Sequence, residues 1–246
     1  MVEEMESAEE TGERVLPPAE GAAFNAVEDA IFARRSVRFY QKKQVPERLV
    51  RRVLEAGRFA PSAGNCQPWK FIVVRDPRMQ EEMTADVVKF CQRVMALLNY
   101  IDGAPWKRHL AKLFQRLRPN DLHPIPFGAM KLIAEGKLGL FHGAPTVILI
   151  MVDKRGVGTP ALDVGIAGQN MVLAAQSYGL ATCWVSFVKP LAYLPKWQKR
   201  LGIKYPYKLV TSVVLGFPKG NPNGEVSRET QAIDWFTEAG TFKVVY

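Results

Sequence analysis

Arg34, Arg35, Ser36, Val37 and Arg38 set three guanidinium groups around one hydroxyl. A phosphate monoester is close to a dianion at neutral pH and carries three strong acceptor oxygens. Arginine forks and a serine hydroxyl match such a group directly. In extended chain Arg34, Ser36 and Arg38 point one way, and Val37 and Phe39 the other. In a helix the arginines would be scattered. The β-branched and aromatic residues of Arg34–Tyr40 favour the extended form. A second candidate follows, Ala60-Pro61-Ser62-Ala63-Gly64-Asn65-Cys66-Gln67-Pro68-Trp69. Its small residues let a flat ligand lie against backbone, Ser62, Asn65 and Gln67 offer donors and acceptors, and Pro68-Trp69 pin the loop to a core. Each stretch also has a plain structural reading. The arginines can be an exposed basic edge with no ligand. The loop, taken alone, is a turn-rich connection from helix to strand.

Other chemistries find little support. Cys66, Cys91 and Cys183 are far apart and form no CxxC pair, which fits a reducing cytoplasm. Cys66, beside Asn65, offers a thiol near this loop, or simply a small filler. His109, His123 and His142 have no ligand-spaced neighbour, so they read as surface or packing histidines, and no metal site is expected. No Ser-His-Asp set or carboxylate pair emerges. Gly136, Gly139 and Gly143 do not make a GxGxxG, and no Walker loop is present. The net charge of +9 includes an acidic start, residues 1–22, which reads as a flexible tail. The body is therefore more basic than the total and favours anionic ligands. Hydrophobic residues make up 48% of the 246, as in a globular chain. No apolar run reaches the roughly 18–20 residues of a membrane span, and no signal peptide is recognised at the start, so no membrane partner is expected.

The elements that must position these residues alternate. Asn25 with Glu28 reads as a capping pair for a helix over about 26–34. Pro46 opens a helix to about Arg58. Phe71–Val74, Val147–Val152, Thr182–Val188 and Leu209–Leu215 read as buried strands. Helices are expected over 78–95 and Val164–Ser177, with another ending at Trp197–Leu201. Residues 96–142 are read as an excursion over the core, helical in part and mobile in part. Within it 107–118 carries Lys107, Arg108, Lys112 and Arg116 with no acid, beside Leu110, Leu113 and Phe114. Thr241–Tyr246 is strand-like with no obvious partner, as when a terminus pairs with a second subunit. The pattern is an α/β or α+β layered fold, with residues 23–246 as one domain.

Taken together, "RRSVRFY", "VPERLVRRVLEAGRFAPSAGNCQPWKFIVV", "LDVGIAGQNMVLAAQSYGLATCW" and "VVLGFPKG", in this order, resemble the nitroreductase family of FMN-dependent flavoproteins. The resemblance spans about residues 25–230, apart from 96–142. It implies an α+β fold, a central mixed sheet wrapped by helices, in a homodimer whose C-terminal segments are exchanged. It implies FMN at the interface, with Arg34, Ser36 and Arg38 on the phosphate and Arg35 and Val37 nearby. Arg228 would approach the same phosphate. Pro61, Ser62 and Asn65 would reach the flavin of the other subunit, and Trp184, Val185 and Ser186 would lie along the ring, with a backbone N–H toward N5. Flavin N5 would do the chemistry, with no catalytic side chain. NAD(P)H would give a hydride, and a nitroaromatic, quinone or similar flat acceptor would take it, in ping-pong order.

The sequence departs from the family at two places. Ser186-Phe187 stands where many relatives have Gly-Gly, which predicts a more crowded ring edge. Glu229 follows Arg228 where a second basic residue is common. The excursion would be the substrate lid, with Tyr100, Trp106, Phe114 and Phe127 as an aromatic cover, or packed onto its own body. In the dehalogenating branch the lid grips a zwitterion. Here Ala96 stands where the acid would be, four residues before Tyr100. A reductive dehalogenase or enone reductase on the same scaffold, a non-enzymatic flavin binder, and a nucleic-acid binder using residues 107–118 are the alternatives. The last lacks a recognised nucleic-acid fold, so no nucleic acid is expected.

Overall fold

A computed structural model of the chain describes residues 24–117, 123–220, 231–237 and 240–245. The chain divides into two compact units, one of residues 30–222 and one of residues 1–29 with 223–246. In the larger unit four strands, β1 (Trp69–Val74), β2 (Thr146–Asp153), β3 (Ala181–Val185) and β4 (Tyr207–Gly216), make one sheet in the order β1-β2-β4-β3. All three pairings are antiparallel. The sheet's parallel character comes from a bridge between Ser36 and Thr182 beside β3.

β2 explains the two layers. Its side chains alternate between faces, and Thr146 to Val152 are all buried. Val147, Leu149 and Met151 join one cluster with Met83, Val87, Cys91 and Met95 of α3 (Pro77–Leu98) and Phe127 and Ile133 of α5 (Pro124–Ala134). Ile148, Ile150 and Val152 join the other, with Val50 and Val53 of α2 (Glu47–Arg58) and Val164, Met171 and Ala175 of α6 (Pro160–Ser177). A strand covered on both faces reads as a continuous apolar run, and each such side chain contributes roughly 2 kcal/mol on burial.

Local signals set several helix starts. Asn25 Oδ1 accepts from the amides of Val27 and Glu28 at 2.9 and 3.1 Å, and Glu28 returns a bond to the Asn25 amide at 2.8 Å, opening α1 (Ala26–Ala33). Asp76 accepts from the Arg78 amide at 3.0 Å and starts α3, with Pro77 in the first turn. At Gly57 the helices α2 and α6 come very close: a Cβ there would stand 2.7 Å from Met171 Cγ.

Residues 96–142 are helical in part, as expected: the end of α3, then α4 (Pro105–Leu117) and α5. Two expectations change. The third strand ends at Val185, not Val188, because the chain turns into a 3-10 segment, Ser186–Tyr193, that buries Val188 and Leu191. The smaller unit holds a two-stranded antiparallel hairpin, β5 (Ala232–Thr237) with β6 (Gly240–Val245). The terminal strand therefore has a partner in its own chain. The acidic start, residues 1–22, lies outside the described residues.

Candidate functional site

The arginine motif forms an extended strap along the free side of β3. The Val37 amide donates to the Thr182 carbonyl at 3.0 Å, beside the Ser36–Thr182 bridge. Further on, Gln41 N donates to Phe217 O at 2.9 Å and Lys219 N to Phe39 O at 3.0 Å. Gly216 makes room, since a Cβ there would stand 2.8 Å from the Tyr40 ring. Val37 is buried, while Ser36 and Arg38 are exposed and Arg34 half-buried, as the period of two predicts. The period then fails. Phe39 is 74% exposed and Tyr40 is buried, because the Tyr40 hydroxyl turns back to donate to the Val37 carbonyl at 2.7 Å.

Arg34 and Arg38 have no carboxylate partner among the described residues. Arg38 Nη1 reaches the Ser36 carbonyl at 3.4 Å, a weak contact. Arg35 is spent on backbone, donating to the carbonyls of Phe32 and Arg34. The field of these arginines is felt nearby. Burial pushes the Cys183 thiol up while Arg38 and Arg34 pull it down. Burial, helped by Arg38, holds His142 below the usual imidazole range. Burial also pushes the Tyr40 phenol up, with Cys183 adding and Arg38 opposing. Thr182, Cys183 and His142 thus frame the cationic strap, although they carry no motif of their own. The sequence signal for His142 was only its place before β2. Uncompensated cations around a hydroxyl at a rigid sheet edge fit the phosphate of a cofactor, or another small anion.

The loop before β1 is held from within and from α6. The Gln67 amide donates to Ser62 Oγ at 2.9 Å, and the Gln67 side chain to Asn65 Oδ1 at 3.1 Å. Buried Asp163 accepts from the Ala63 amide at 3.4 Å. Gly64, Asn65 and Gln67 have left-handed backbone, with φ of 58°, 54° and 48°. Two of the three are not glycine, so the loop stores strain of roughly 1–2 kcal/mol each. Pro61, Asn65 and Cys66 are exposed and Ser62 half-buried. None of the loop's hydrogen bonds among the described residues runs to the strap. A cavity of about 430 Å³ lies on the other side of the loop, between Gln67, Trp69, Arg155 and Tyr207, where Arg155 is paired with Asp153 at 2.6 Å.

At the end of β3, Trp184 turns its indole onto α6. A Cβ on Gly168 would stand 2.1 Å from Trp184 Cη2, so only glycine fits beneath the ring. Trp184 therefore presents backbone, not its ring, at the strand end. Val185 is buried, Ser186 is exposed, and Phe187 packs inward on the α3-side cluster. Arg228 lies outside the described residues.

The lid residues also pack on themselves. Tyr100 stacks on Phe127 with ring centroids 4.4 Å apart, and Phe127 is fully buried. Phe114 packs against the same cluster. Trp106 alone of the four is well exposed, at 55%. Lys131 bonds Asp102 at 2.5 Å, and Asn99 donates to the same carboxylate at 2.7 Å, tying the α3–α4 turn to α5. Phe127 thus serves the lid's interior and offers no face to a ligand. His109 caps its own helix through the Pro105 carbonyl at 3.0 Å, and no metal-binding cluster occurs among the described residues.

Known proteins share this arrangement. The chain is 30% identical over 198 residues to a Methanothermobacter thermautotrophicus protein provisionally named NADH dehydrogenase/NAD(P)H nitroreductase, covering 79% of this chain and 78% of the relative. It is 29% identical over 213 residues to the 4-nitrobenzoate reductase of Nocardioides sp., covering 82% of each. The crystal structure of an FMN-bound nitroreductase from Desulfitobacterium hafniense aligns with a TM-score of 0.63 at 25% identity, covering 84% of this chain and 96% of that one. The sequence model of the nitroreductase family matches residues 31–217, from within α1 to the residue after β4, and the chain belongs to that family.

Proposed function

We propose that the protein is an FMN-dependent oxidoreductase that takes electrons from NAD(P)H and passes them to nitroaromatic, quinone or similar flat acceptors. One observation carries this reading: Arg34 and Arg38 flank Ser36 on an anchored sheet edge with no carboxylate partner among the described residues. When bound, FMN supplies the hydride chemistry through N5, and NAD(P)H and acceptor visit in ping-pong order. The chain's own residues bind and orient. Arg34, Ser36 and Arg38 hold the phosphate, with Arg35 shaping the backbone they spring from, Val37 anchoring it to the core, and Arg228 as a further phosphate partner. The strand end at Trp184, Val185 and Ser186 lies along the ring and offers backbone donors.

On this reading the protein is a homodimer, in which Pro61, Ser62 and Asn65 serve the cofactor of a second copy; none of the loop's hydrogen bonds among the described residues ties them to the strap of their own chain. Residues 23–246 act as one FMN-binding domain with 96–142 as its lid, where Trp106 is the aromatic face open to an acceptor. The dehalogenase alternative needs Tyr100 at a ligand, but Tyr100 is stacked on Phe127 and position 96 is alanine. Free thiols at Cys66, Cys91 and Cys183, and no described helix long and apolar enough to cross a membrane, support a cytoplasmic place.

The test is the visible spectrum of the purified protein. Oxidised flavin bands should appear, bleach anaerobically with NADH or NADPH, and return on adding a nitroaromatic or quinone. A colourless protein that takes up no added FMN defeats the reading. A yellow protein that neither nicotinamide reduces would instead be a flavin binder without this activity.

A further inference from the structure

Two hydroxyls of β4 converge on one carbonyl at the end of β3. Ser212 Oγ donates to the Val185 carbonyl at 2.8 Å, and Thr211 Oγ1 lies 3.5 Å from the same oxygen. Thr211 Oγ1 also meets Ser186 Oγ at 3.3 Å. Ser212 is fully buried and Thr211 is 8% exposed. They interrupt a strand that is otherwise apolar from Leu209 to Leu215. A strand in this place needs only apolar side chains to pack, and a buried hydroxyl is unfavourable unless it finds a partner. Here the shared acceptor is the Val185 carbonyl, at the last paired position of β3, Val185–Ser212. Ser212 has no other side-chain partner among the described residues, whereas Thr211 Oγ1 also shares a hydrogen bond with Ser186 Oγ, in which either oxygen can donate.

The peptide unit is planar, so its carbonyl and its N–H point in opposite directions. A clamp on the Val185 oxygen therefore fixes where the Ser186 N–H points. Ser186 is also the first residue of the 3-10 segment Ser186–Tyr193, a position whose N–H has no partner inside its own helix. We propose that Ser212, with Thr211 as the second hydroxyl, is a positioning residue that locks the Val185–Ser186 peptide and aims the Ser186 N–H at the edge of the flavin ring. This rests on the reading that FMN lies along that strand end. A fixed donor there favours the oxidised ring, whose nitrogen accepts a hydrogen bond, over the reduced ring, whose nitrogen carries its own hydrogen. The clamp thus holds down the reduction potential.

Ser212→Ala and Thr211→Val test this, with the Ser186 amide exchange rate in FMN-free protein, the flavin midpoint potential and the FMN dissociation constant as readouts. Ser212→Ala should speed exchange of the Ser186 amide about tenfold, and Thr211→Val less. The potential should rise by about 30 mV, a tenfold change for a two-electron couple. FMN affinity should change less than threefold, since the strap is untouched. Unchanged exchange in both variants overturns the clamp. Faster exchange with an unchanged potential leaves Ser212 a structural residue and overturns its redox role. If Ser212→Ala fails to fold, Thr211→Val carries the same readouts. If the wild-type protein holds no FMN, the functional reading and the redox role fall together, while exchange still decides whether the clamp exists.

Discussion

The strap at Arg34–Gln41 and the lid across Asn99–Ala134 both carry many cations, yet they are built in opposite ways. The strap is fixed by backbone bonds to β3 and to the chain after β4, and Arg34 and Arg38 have no carboxylate partner among the described residues. The lid is fixed by side chains: a buried phenylalanine, a tyrosine stacked on it, and Lys131 shared between Asp102 at 2.5 Å and Glu135 at 3.7 Å. Backbone anchoring leaves side chains available for a ligand. Side-chain anchoring consumes them. On the function proposed above, the strap holds the cofactor's phosphate and the lid supplies the acceptor face, so the two tasks fall on separately anchored regions.

The largest separation of the two should come from Phe127→Ala. Emptying a fully buried ring costs about 4 kcal/mol of folding stability. Urea unfolding should show this loss, while the FMN affinity of the folded fraction stays within threefold. A parallel loss of flavin affinity would mean that lid and strap are one cooperative unit. Arg38→Glu should do the reverse. Replacing an exposed phosphate partner with a repelling charge should weaken FMN binding by about 3 kcal/mol, roughly a hundredfold. Folding stability should move by less than about 0.5 kcal/mol, as for other surface changes. Flavin fluorescence titration beside a melting curve reads both, and unchanged affinity would remove Arg38 from the site.

The smallest effect is in pH. Lys131, with help from Asn99, holds the Asp102 carboxyl below its ordinary range. A depressed folded pKa gives stability that is present above the unfolded value, about 3.9, and is lost as pH falls through the folded value. Amide exchange in the α3–α4 turn and α5 should therefore quicken below about pH 4, and Asp102→Asn should remove that dependence. The strap should show no such step from this pair, since neither Arg34 nor Arg38 is held by an acid among the described residues. An equal acid-induced loosening of both regions would erase the distinction between them.

Much of this frame is legible in single residues. The apolar run Val147–Val152 can only be a strand covered on both faces. Asp76-Pro77 and Asn25 with Glu28 announce helix starts because their hydrogen bonds reach only two or three residues. The spacing of Arg34, Ser36 and Arg38 around buried Val37 survives in the structure for the same local reason. Elsewhere the structure departed from the reading. Tyr40 took the inward place expected of Phe39, because its hydroxyl could reach the Val37 carbonyl and its ring could rest on Gly216. The terminal strand pairs with β5, which ends only three residues before it in the same chain. Thr211 and Ser212 looked like ordinary strand residues until β3 was laid beside them.

The sequence by itself determined the four strands of the main sheet and the helices α1, α2, α3 and α6 in outline, where the central strand lies, and that cations surround a hydroxyl at the strap, since each depends on periodicity and short-range bonding. Only the tertiary structure decided that the Trp184 indole lies on Gly168, that Phe187 and Phe127 turn inward, and that two hydroxyls of β4 seize the end of β3. Those outcomes are choices between partners far apart in the chain, and close packing settles them by the space and the acceptors that neighbouring elements leave.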